Sequence, residues 1–231
     1  PQWKHHCIPL RFSLFGDIAA FCSNHTLIKG ATTNMCIENT PEIETKRLLL
    51  RKFTEQDLED LLALYSDEEV NRFLPWFPIK STEEMAKYFR ESILPCYKEE
   101  TAYFYAVTDK TDHRAIGYVH ISNIGGSNDL GYALRKEFWH QGMTTEACAA
   151  LVEHLRSRNF PYITATHDRN NPYSGAVMKK IGMTYRYSYW ETWQPKNILV
   201  AFRMYQLNLD GIERTYTGYQ KKYPYFVEHI L

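Results

Sequence analysis

The segment Leu130–Ala147, LGYALRKEFWHQGMTTEA, changes from an extended pattern to a helical one. Leu130–Leu134 predicts a strand, Thr144 begins a predicted helix, and the loop between them is centred on Gly142. Backbone amides at a helix N-terminus carry the positive end of the helix dipole, so they bind phosphate without net positive charge. Gly142 lets the backbone approach a ligand closely. Taken alone, the pattern fits a plain strand-to-helix connection as well as a phosphate site.

The residues on either side predict a single α/β domain with a mixed sheet. Residues 45–53 predict a short strand, and two capped helices begin after Thr54 and Ser81. Further strands are predicted over 103–108, 115–124, 130–134, 162–166, 183–191 and 198–207, and further helices over 144–158 and 173–181. A strand–helix–strand unit of this kind joins parallel strands. We therefore expect an antiparallel meander joined to a parallel strand pair.

Three ordered motifs resemble the GNAT superfamily of N-acetyltransferases, most closely its ribosomal-protein-alanine N-acetyltransferase branch. Glu44–Arg51 (ETKRLLLR) is similar to the first strand of that branch, and Trp139–Ala147 (WHQGMTTEA) to its acetyl-coenzyme A (acetyl-CoA) loop. Residues 171–182 match its fourth helix, N-x-x-S-x-x-V-x-x-K-x-G. The loop departs from the family pattern at His140, Met143 and Thr144, among other positions. Main-chain amides do most of the phosphate binding, so the resemblance still implies an acetyl-CoA site.

The resemblance also implies which residues meet acetyl-CoA, at a splayed junction between the two parallel strands. These are Ala133, Leu134, His140, Gln141, Gly142, Met143, Thr144, Thr145 and Asn171. A strand amide near Ala133 or Leu134 would donate to the thioester carbonyl oxygen. Asn171 would touch the pantetheine, although capping of its own helix explains this residue nearly as well.

The catalytic residues implied by the resemblance are Ser174, Tyr173 and Asp129. Ser174 would hydrogen-bond the leaving thiolate, with Tyr173 as the rival acid, although a first-turn helix serine and a packed tyrosine are the plainer interpretations. Asp129 lies where the branch often has an acidic residue and is a candidate base, but a solvated turn aspartate looks the same. His120 has a suitable unperturbed pKa of about 6.5 for a base, and a structural role is its alternative.

Two residues on the helix after the loop are expected to be structural. Glu146 lies in the first helical turn, where a carboxylate is favoured by the helix dipole. Cys148 falls near the core face of the same helix and should be an inert buried thiol.

The predicted function is transfer of an acetyl group from acetyl-CoA to a primary amine by direct attack in a ternary complex. The amine would be a protein N-terminus or a small molecule. An α-amine with a pKa of about 8 is roughly a tenth deprotonated at pH 7, so a base should assist. The altered loop motivates an alternative, a catalytically silent domain that binds acyl-CoA. A tyrosine-rich interaction domain is a third possibility, and it leaves the three ordered motifs unexplained.

The acceptor cleft of the superfamily lies between the first helix pair and the last hairpin. Here these are the stretches 72–78 and 187–193, and both are rich in aromatic residues. Such rings could bind an apolar or cationic acceptor, or they could belong to the core.

The composition excludes some classes of protein. The chain has 231 residues with 27 Lys and Arg against 27 Asp and Glu, so it lacks the charge of a general nucleic-acid binder. Its five cysteines form no C-x-x-C pair, which favours reduced thiols over a disulfide framework. No long apolar stretch predicts a membrane span. We expect a cytoplasmic monomer or homodimer.

Three regions are expected along the chain: an accessory or non-native extension over 1–42, the acetyltransferase domain over 43–208, and a tyrosine-rich tail over 209–231. Residues 1–34 show no clear period and precede Met35, so we expect them to be dispensable. The extension carries candidate zinc ligands in His5, His6, Cys7, Cys22 and His25, but their spacing is not a usual structural zinc pattern. No metal is therefore expected.

Overall fold

The computed structural model describes residues 39–98 and 102–229. Its strands are β1 (Ile43–Glu44), β2 (Leu48–Arg51), β3 (Tyr103–Asp109), β4 (Ala115–Ser122), β5 (Asp129–Leu134), β6 (Tyr162–Asp168), β7 (Thr184–Trp193), β8 (Ile198–Asn208) and β9 (Tyr225–Phe226). Its helices are α1 (Leu58–Ser66), α2 (Thr82–Tyr88), α3 (Met143–Ser157), α4 (Pro172–Lys180) and α5 (Gly218–Lys222). The candidate zinc ligands and Met35 lie outside the described residues.

A single mixed sheet holds these strands in the order β1-β2-β3-β4-β5-β6-β8-β7-β9. The first five strands form the expected antiparallel meander, and β5 meets β6 in parallel. Strands β6, β8, β7 and β9 then continue with antiparallel pairing. The predicted α/β fold with a mixed sheet is confirmed.

The two faces of the sheet have different cores because strand side chains alternate between them. On one face α3 and α4 cover an aliphatic core that includes Leu130, Leu151 and Ile163. On the other face α1 and α2 cover an aromatic core. There, Tyr65 stacks on Trp76 and on Tyr118, with ring centroids 6.0 and 5.8 Å apart. Each face of the sheet therefore has its own core, aliphatic on the α3–α4 face and aromatic on the α1–α2 face.

The first elements differ slightly from those predicted. The expected strand over residues 45–53 is shortened to β2, and β1 precedes it. A turn between the two strands joins the amide of Thr45 to the carbonyl of Leu48 (2.9 Å). The helix after Thr54 begins with a tight 3₁₀ turn before α1. Ser81 caps α2 as predicted, since its hydroxyl accepts from the amide of Glu84 (3.2 Å).

No helix or strand was predicted for the segment 209–229. In the structure this segment packs onto the sheet. Tyr219 of α5 stacks on Tyr189 of β7, with ring centroids 5.0 Å apart, and β9 pairs with β7. Glu228 accepts hydrogen bonds from Ser188 (2.6 Å) and from the guanidinium of Arg203 (2.6 Å). The bond from Arg203, more than any other contact, lowers the pKa of Glu228 to about 2. The tail is thus an ordered part of the sheet.

In the described parts of the chain, no helix combines the length and the apolar character that a membrane crossing needs.

Candidate active site

The gap between β5 and β6 is the feature on which the site is built. The two strands pair only at Asp129 and Thr164, where the amide of Thr164 donates to the carbonyl of Asn128 (3.1 Å). Beyond that point β5 stays paired with β4, and β6 stays paired with β8. The carboxyl halves of β5 and β6 therefore separate, which confirms the expected splayed junction.

The amides of β5 divide between its neighbours. The amide of Arg135 donates to the carbonyl of Ile116 on β4 (2.9 Å). In a β-strand the amides of every second residue point to the same neighbouring strand, so the amide of Ala133, two residues before Arg135, also faces β4. The amides of Tyr132 and Leu134 face the gap instead. Of the two strand amides considered from the sequence, only that of Leu134 is directed into the gap.

The start of α3 presents backbone amides. Gly142 adopts a left-handed conformation with a φ of 75°, and its carbonyl accepts the first helical bond from Glu146 (3.0 Å). The amides of Met143, Thr144 and Thr145 precede that bond, so they have no acceptor within the helix. A Cβ at Gly142 would meet no atom closer than a guanidinium nitrogen of Arg47, at 3.8 Å. The loop therefore leaves an open cradle of amides, which fits a phosphate group.

Side-chain hydrogen bonds hold this amide loop in place. The carboxylate of Glu146 accepts from the hydroxyl of Thr45 (2.6 Å) and from the backbone and side chain of Arg47 (2.9 and 2.7 Å). Arg47 also donates to the carbonyl of Gln141 (2.9 Å). Burial alone would raise the pKa of Glu146, but these bonds outweigh it and lower the pKa. Glu146 thus has the structural role expected of it.

The start of α4 brings Ser174 to the gap. Asn171 caps the helix, because its side-chain oxygen accepts from the amide of Ser174 (3.4 Å). From β5, the hydroxyl of Tyr132 donates to the carbonyl of Ser174 (2.7 Å) and lies 3.0 Å from the Ser174 Oγ. Ser174 of α4 therefore contacts β5 two residues before Leu134, whose amide faces the gap.

Tyr173 points elsewhere. Its side chain is 70% exposed, and its ring packs edge-on against His140, with centroids 5.1 Å apart. His140 belongs to the loop before α3 and has a left-handed φ of 60°. Tyr173 therefore contacts the loop before α3 at His140, whereas Ser174 lies beside Tyr132.

A family comparison matches this geometry. The model described as an acetyltransferase (GNAT) domain matches residues 47–184, more than half of the chain. This chain belongs to the GNAT acetyltransferase family. Acetyl-CoA is the co-substrate of the family, and acetyl transfer is its reaction. The comparison gives no support to a catalytically silent domain.

Two N-acetyltransferases of Bacillus subtilis (strain 168) are among the similar proteins. YnaD, named an uncharacterized N-acetyltransferase, is 31% identical over 144 residues, which cover 61% of this chain and 81% of YnaD. YoaA carries the same description and is 24% identical over 146 residues, which cover 62% of this chain and 82% of YoaA. These relatives place the similarity over most of the GNAT domain.

Solved structures share the fold. RimL, a ribosomal L7/L12 alpha-N-protein acetyltransferase in complex with coenzyme A, superposes with a TM-score of 0.65 at 22% identity, covering 74% of this chain and all of RimL. Spermidine N-acetyltransferase from Vibrio cholerae, in complex with CoA and spermine, gives a TM-score of 0.60 at 15% identity, covering 71% of this chain and 97% of that one. At such identities the likeness concerns the fold alone.

The candidate bases of this GNAT domain lie on the α1–α2 face. Asp129 is half-buried where the gap begins, and it accepts from the hydroxyl of Thr164 (3.1 Å). His120 is the neighbour of Gly131 across the β4–β5 pair, and its ring lies directly over that glycine. Burial lowers the pKa of His120 to about 4, so the ring is neutral at pH 7. Both groups lie across the sheet from α3 and α4, since Leu130 and Leu134 face those helices.

The aromatic stretches expected to line the acceptor cleft belong mostly to the core. Trp76, Tyr187, Tyr189 and Trp193 are all buried, and α5 covers part of this surface. Cys148 is fully buried as expected, and burial raises the pKa of its thiol. Among the described residues, no cluster of His, Cys, Asp and Glu side chains could hold a metal ion.

Sequence reasoning missed two contacts that fix α4. One is the bond from Tyr132 to Ser174. The other joins His167 at the end of β6 to Gly175, where a Cβ would lie 2.6 Å from the Nε2 of His167. His167 is buried, its Nδ1 is 2.8 Å from the carbonyl of Asp168, and its ring packs against Tyr205. No local sequence pattern predicts either contact, because each joins a side chain of a strand to α4, a helix that packs on the sheet only in the folded protein.

We expect Gly175→Ala to lower the melting temperature. Alanine inside a helix usually stabilises by about 1 kcal/mol relative to glycine. Here the added methyl group meets the buried ring of His167, and overpacking of this kind costs about 1–3 kcal/mol. Thermal unfolding of the single variants and of the Gly175→Ala, His167→Ala double variant measures the coupling. The alanine should become neutral or stabilising once the ring is gone, and an equal loss in both backgrounds would contradict this explanation.

Proposed function

We propose that the protein transfers the acetyl group of acetyl-CoA to a primary amine, on a protein N-terminus or a small molecule, by direct attack in a ternary complex. One observation supports this proposal: β5 separates from β6 and contacts Ser174 through Tyr132, and the loop that follows β5 leads to the α3 amides that have no acceptor within the helix. The enzymes named for L7/L12 and for spermidine also act on amines, which supports an amine acceptor here.

Different residues around the gap would bind different parts of acetyl-CoA. The amides of Met143, Thr144 and Thr145 would hold the pyrophosphate, with His140 and Gln141 beside them and Gly142 providing the approach. Asn171 would contact the pantetheine while capping α4. When bound, acetyl-CoA supplies a thioester-linked acetyl group and leaves as coenzyme A. Ordering both reactants in one site can lower the barrier by several kcal/mol.

The chemical step would use groups on opposite sides of the gap. The amide of Leu134, rather than that of Ala133, would donate to the acetyl carbonyl oxygen, where negative charge develops. The hydroxyl of Ser174 would turn from Tyr132 toward the sulfur and donate to it. Tyr173 is the less favoured donor, since it lies against His140.

The amine must lose a proton, and two groups on the α1–α2 face could receive it. We propose Asp129, which lies where the gap begins, with His120 as the second candidate because its ring is neutral at pH 7. Comparing Asp129→Asn with His120→Gln separates the two. Substitution of the true base should remove the acidic limb of the pH profile, the rise of kcat/KM as the base loses its proton.

Release of coenzyme A, followed with a thiol reagent across a panel of amines, tests the proposed function. The panel includes peptides with free N-termini, polyamines and arylalkylamines. We expect acetyl-CoA-dependent thiol release with at least one class and acetylated product by mass spectrometry. Tight acetyl-CoA binding with no turnover across the panel would instead support the catalytically silent alternative.

We also propose that the enzyme acts in the cytoplasm, as a monomer or a homodimer and without nucleic acid. Its use of acetyl-CoA and the free, buried thiol of Cys148 support a reducing compartment.

A further inference from the structure

A lysine bridge joins two segments that flank the gap on the α1–α2 face. The ammonium of Lys196, in the β7–β8 hairpin, donates to the carbonyl of Leu74 (2.7 Å) and to that of Asn71 (3.2 Å). Both acceptors belong to residues 67–81, which we call the α1–α2 loop. The bridge therefore connects the α1–α2 helix pair, which precedes β5 in the chain, with the β7–β8 hairpin, which follows β6.

The bridge lies at the open end of the gap. Strand β7 runs parallel to β6, because each pairs antiparallel with β8, so both end at the same edge of the sheet. Trp193 ends β7 beyond the level of Asp168, the last residue of β6. The hairpin thus projects past the edge where β5 and β6 are separated, and Lys196 lies at its turn.

Buried hydrogen bonds fix the α1–α2 loop side of the bridge. Asn71 is 2% exposed, and its side chain donates to the carbonyls of Leu64 (2.9 Å) and Asp67 (2.8 Å) and accepts from the indole of Trp76 (3.0 Å). Lys196 is half-buried, and burial lowers the pKa of its ammonium group. A partly desolvated ammonium needs its carbonyl partners, so pulling the loop away would leave polar groups unsatisfied.

We propose that Lys196 determines acceptor size by holding the two walls of the acceptor cleft, the α1–α2 loop and the β7–β8 hairpin, at a fixed separation. The inference rests on the proposed function, since it requires the amine to enter on this face. With the bridge closed, a small or slender amine reaches the gap, and an acceptor with bulk next to its amine does not. The lysine acts on specificity and not on the chemical step.

Two acceptors that share the reacting amine test this inference: alaninamide and the tripeptide amide Ala-Phe-Phe. We expect Lys196→Met to raise the ratio of kcat/KM for the tripeptide over alaninamide by about tenfold, the order of selectivity that one steric contact provides. The KM for acetyl-CoA should stay unchanged. Lys196→Arg, which keeps the charge and the donors, should keep the original ratio. Lys80→Met is the matched control, because Lys80 is an exposed lysine in the same loop.

Hydrogen exchange of the α1–α2 loop gives a readout that needs no acceptor. Lys196→Met should speed exchange of residues 67–80 by about tenfold, and Lys80→Met should not. An active enzyme whose acceptor ratio and loop exchange are the same in Lys196→Met as in wild type would overturn the size-limiting role alone. Failure of the wild type with the whole amine panel would instead overturn the proposed function.

Discussion

Gly142→Val is expected to weaken acetyl-CoA binding by at least about a hundredfold while the fold survives. Valine is strained at a φ of 75°, so the loop would have to leave the left-handed conformation that starts α3. Losing two amide bonds to a charged phosphate group, at about 1.5–3 kcal/mol each, exceeds the 2.8 kcal/mol that a hundredfold change represents. Isothermal titration with acetyl-CoA measures the effect directly.

Gly211→Val is the matched control for this prediction. Gly211 has a φ of 77°, no atom lies within 4 Å of where its Cβ would be, and it is far along the chain from the amide loop. Both substitutions should cost a similar amount of stability, and only Gly142→Val should weaken acetyl-CoA binding. If Gly142→Val retained wild-type affinity, the loop before α3 would not be the pyrophosphate site.

Ser174→Ala is expected to lower kcat by about a hundredfold with little change in the KM for acetyl-CoA. A serine hydroxyl is a poor acid, so its contribution should fall at the low end of acid–base effects, which begins at about 10². The bond to sulfur strengthens mainly as charge develops on the leaving group, and a loss of this kind appears in kcat. Steady-state kinetics with a saturating amine measure the effect.

Two tyrosine variants make this prediction specific. Tyr173→Phe should have a milder effect, because the ring lies 70% exposed against His140 and can keep that packing. Tyr132→Phe removes the hydroxyl that contacts Ser174 and should lower kcat by about tenfold, between the other two. A crippled Tyr173→Phe together with a normal Ser174→Ala would assign the acid to Tyr173.

Local patterns were sufficient to predict most of the fold. The strand of Ala115–Ser122 and the helix of Met143–Ser157 differ from their predicted bounds by at most two residues, because periodicity and caps act over a few neighbours. The segment 209–229 carries no such period. Its conformation depends on Glu228 meeting Arg203 and on Tyr219 meeting Tyr189, and both contacts cross between strands and tail.

The site divides in the same way. Gly142 and Asn171 could be identified from the sequence because a left-handed turn and a helix cap each require particular residue types. The choice between Ala133 and Leu134 could not be made, since it depends on which neighbour each amide faces. Tyr132 and Lys196 were missed because each acts across the gap, on a partner more than forty residues away in the sequence.

The tail that covers the β7–β8 hairpin is translated last, so the nascent chain exposes that hairpin for a time. Translation produces β7 and β8 before α5 and β9, so a nascent chain holds Tyr187, Tyr189 and Phe202 without the tyrosines that later cover them. Transiently exposed apolar surface of this kind promotes aggregation. A ribosome stalled before residue 216 should therefore carry a chain that recruits chaperones, and release past Glu228 should end that recruitment as the tail docks onto the hairpin.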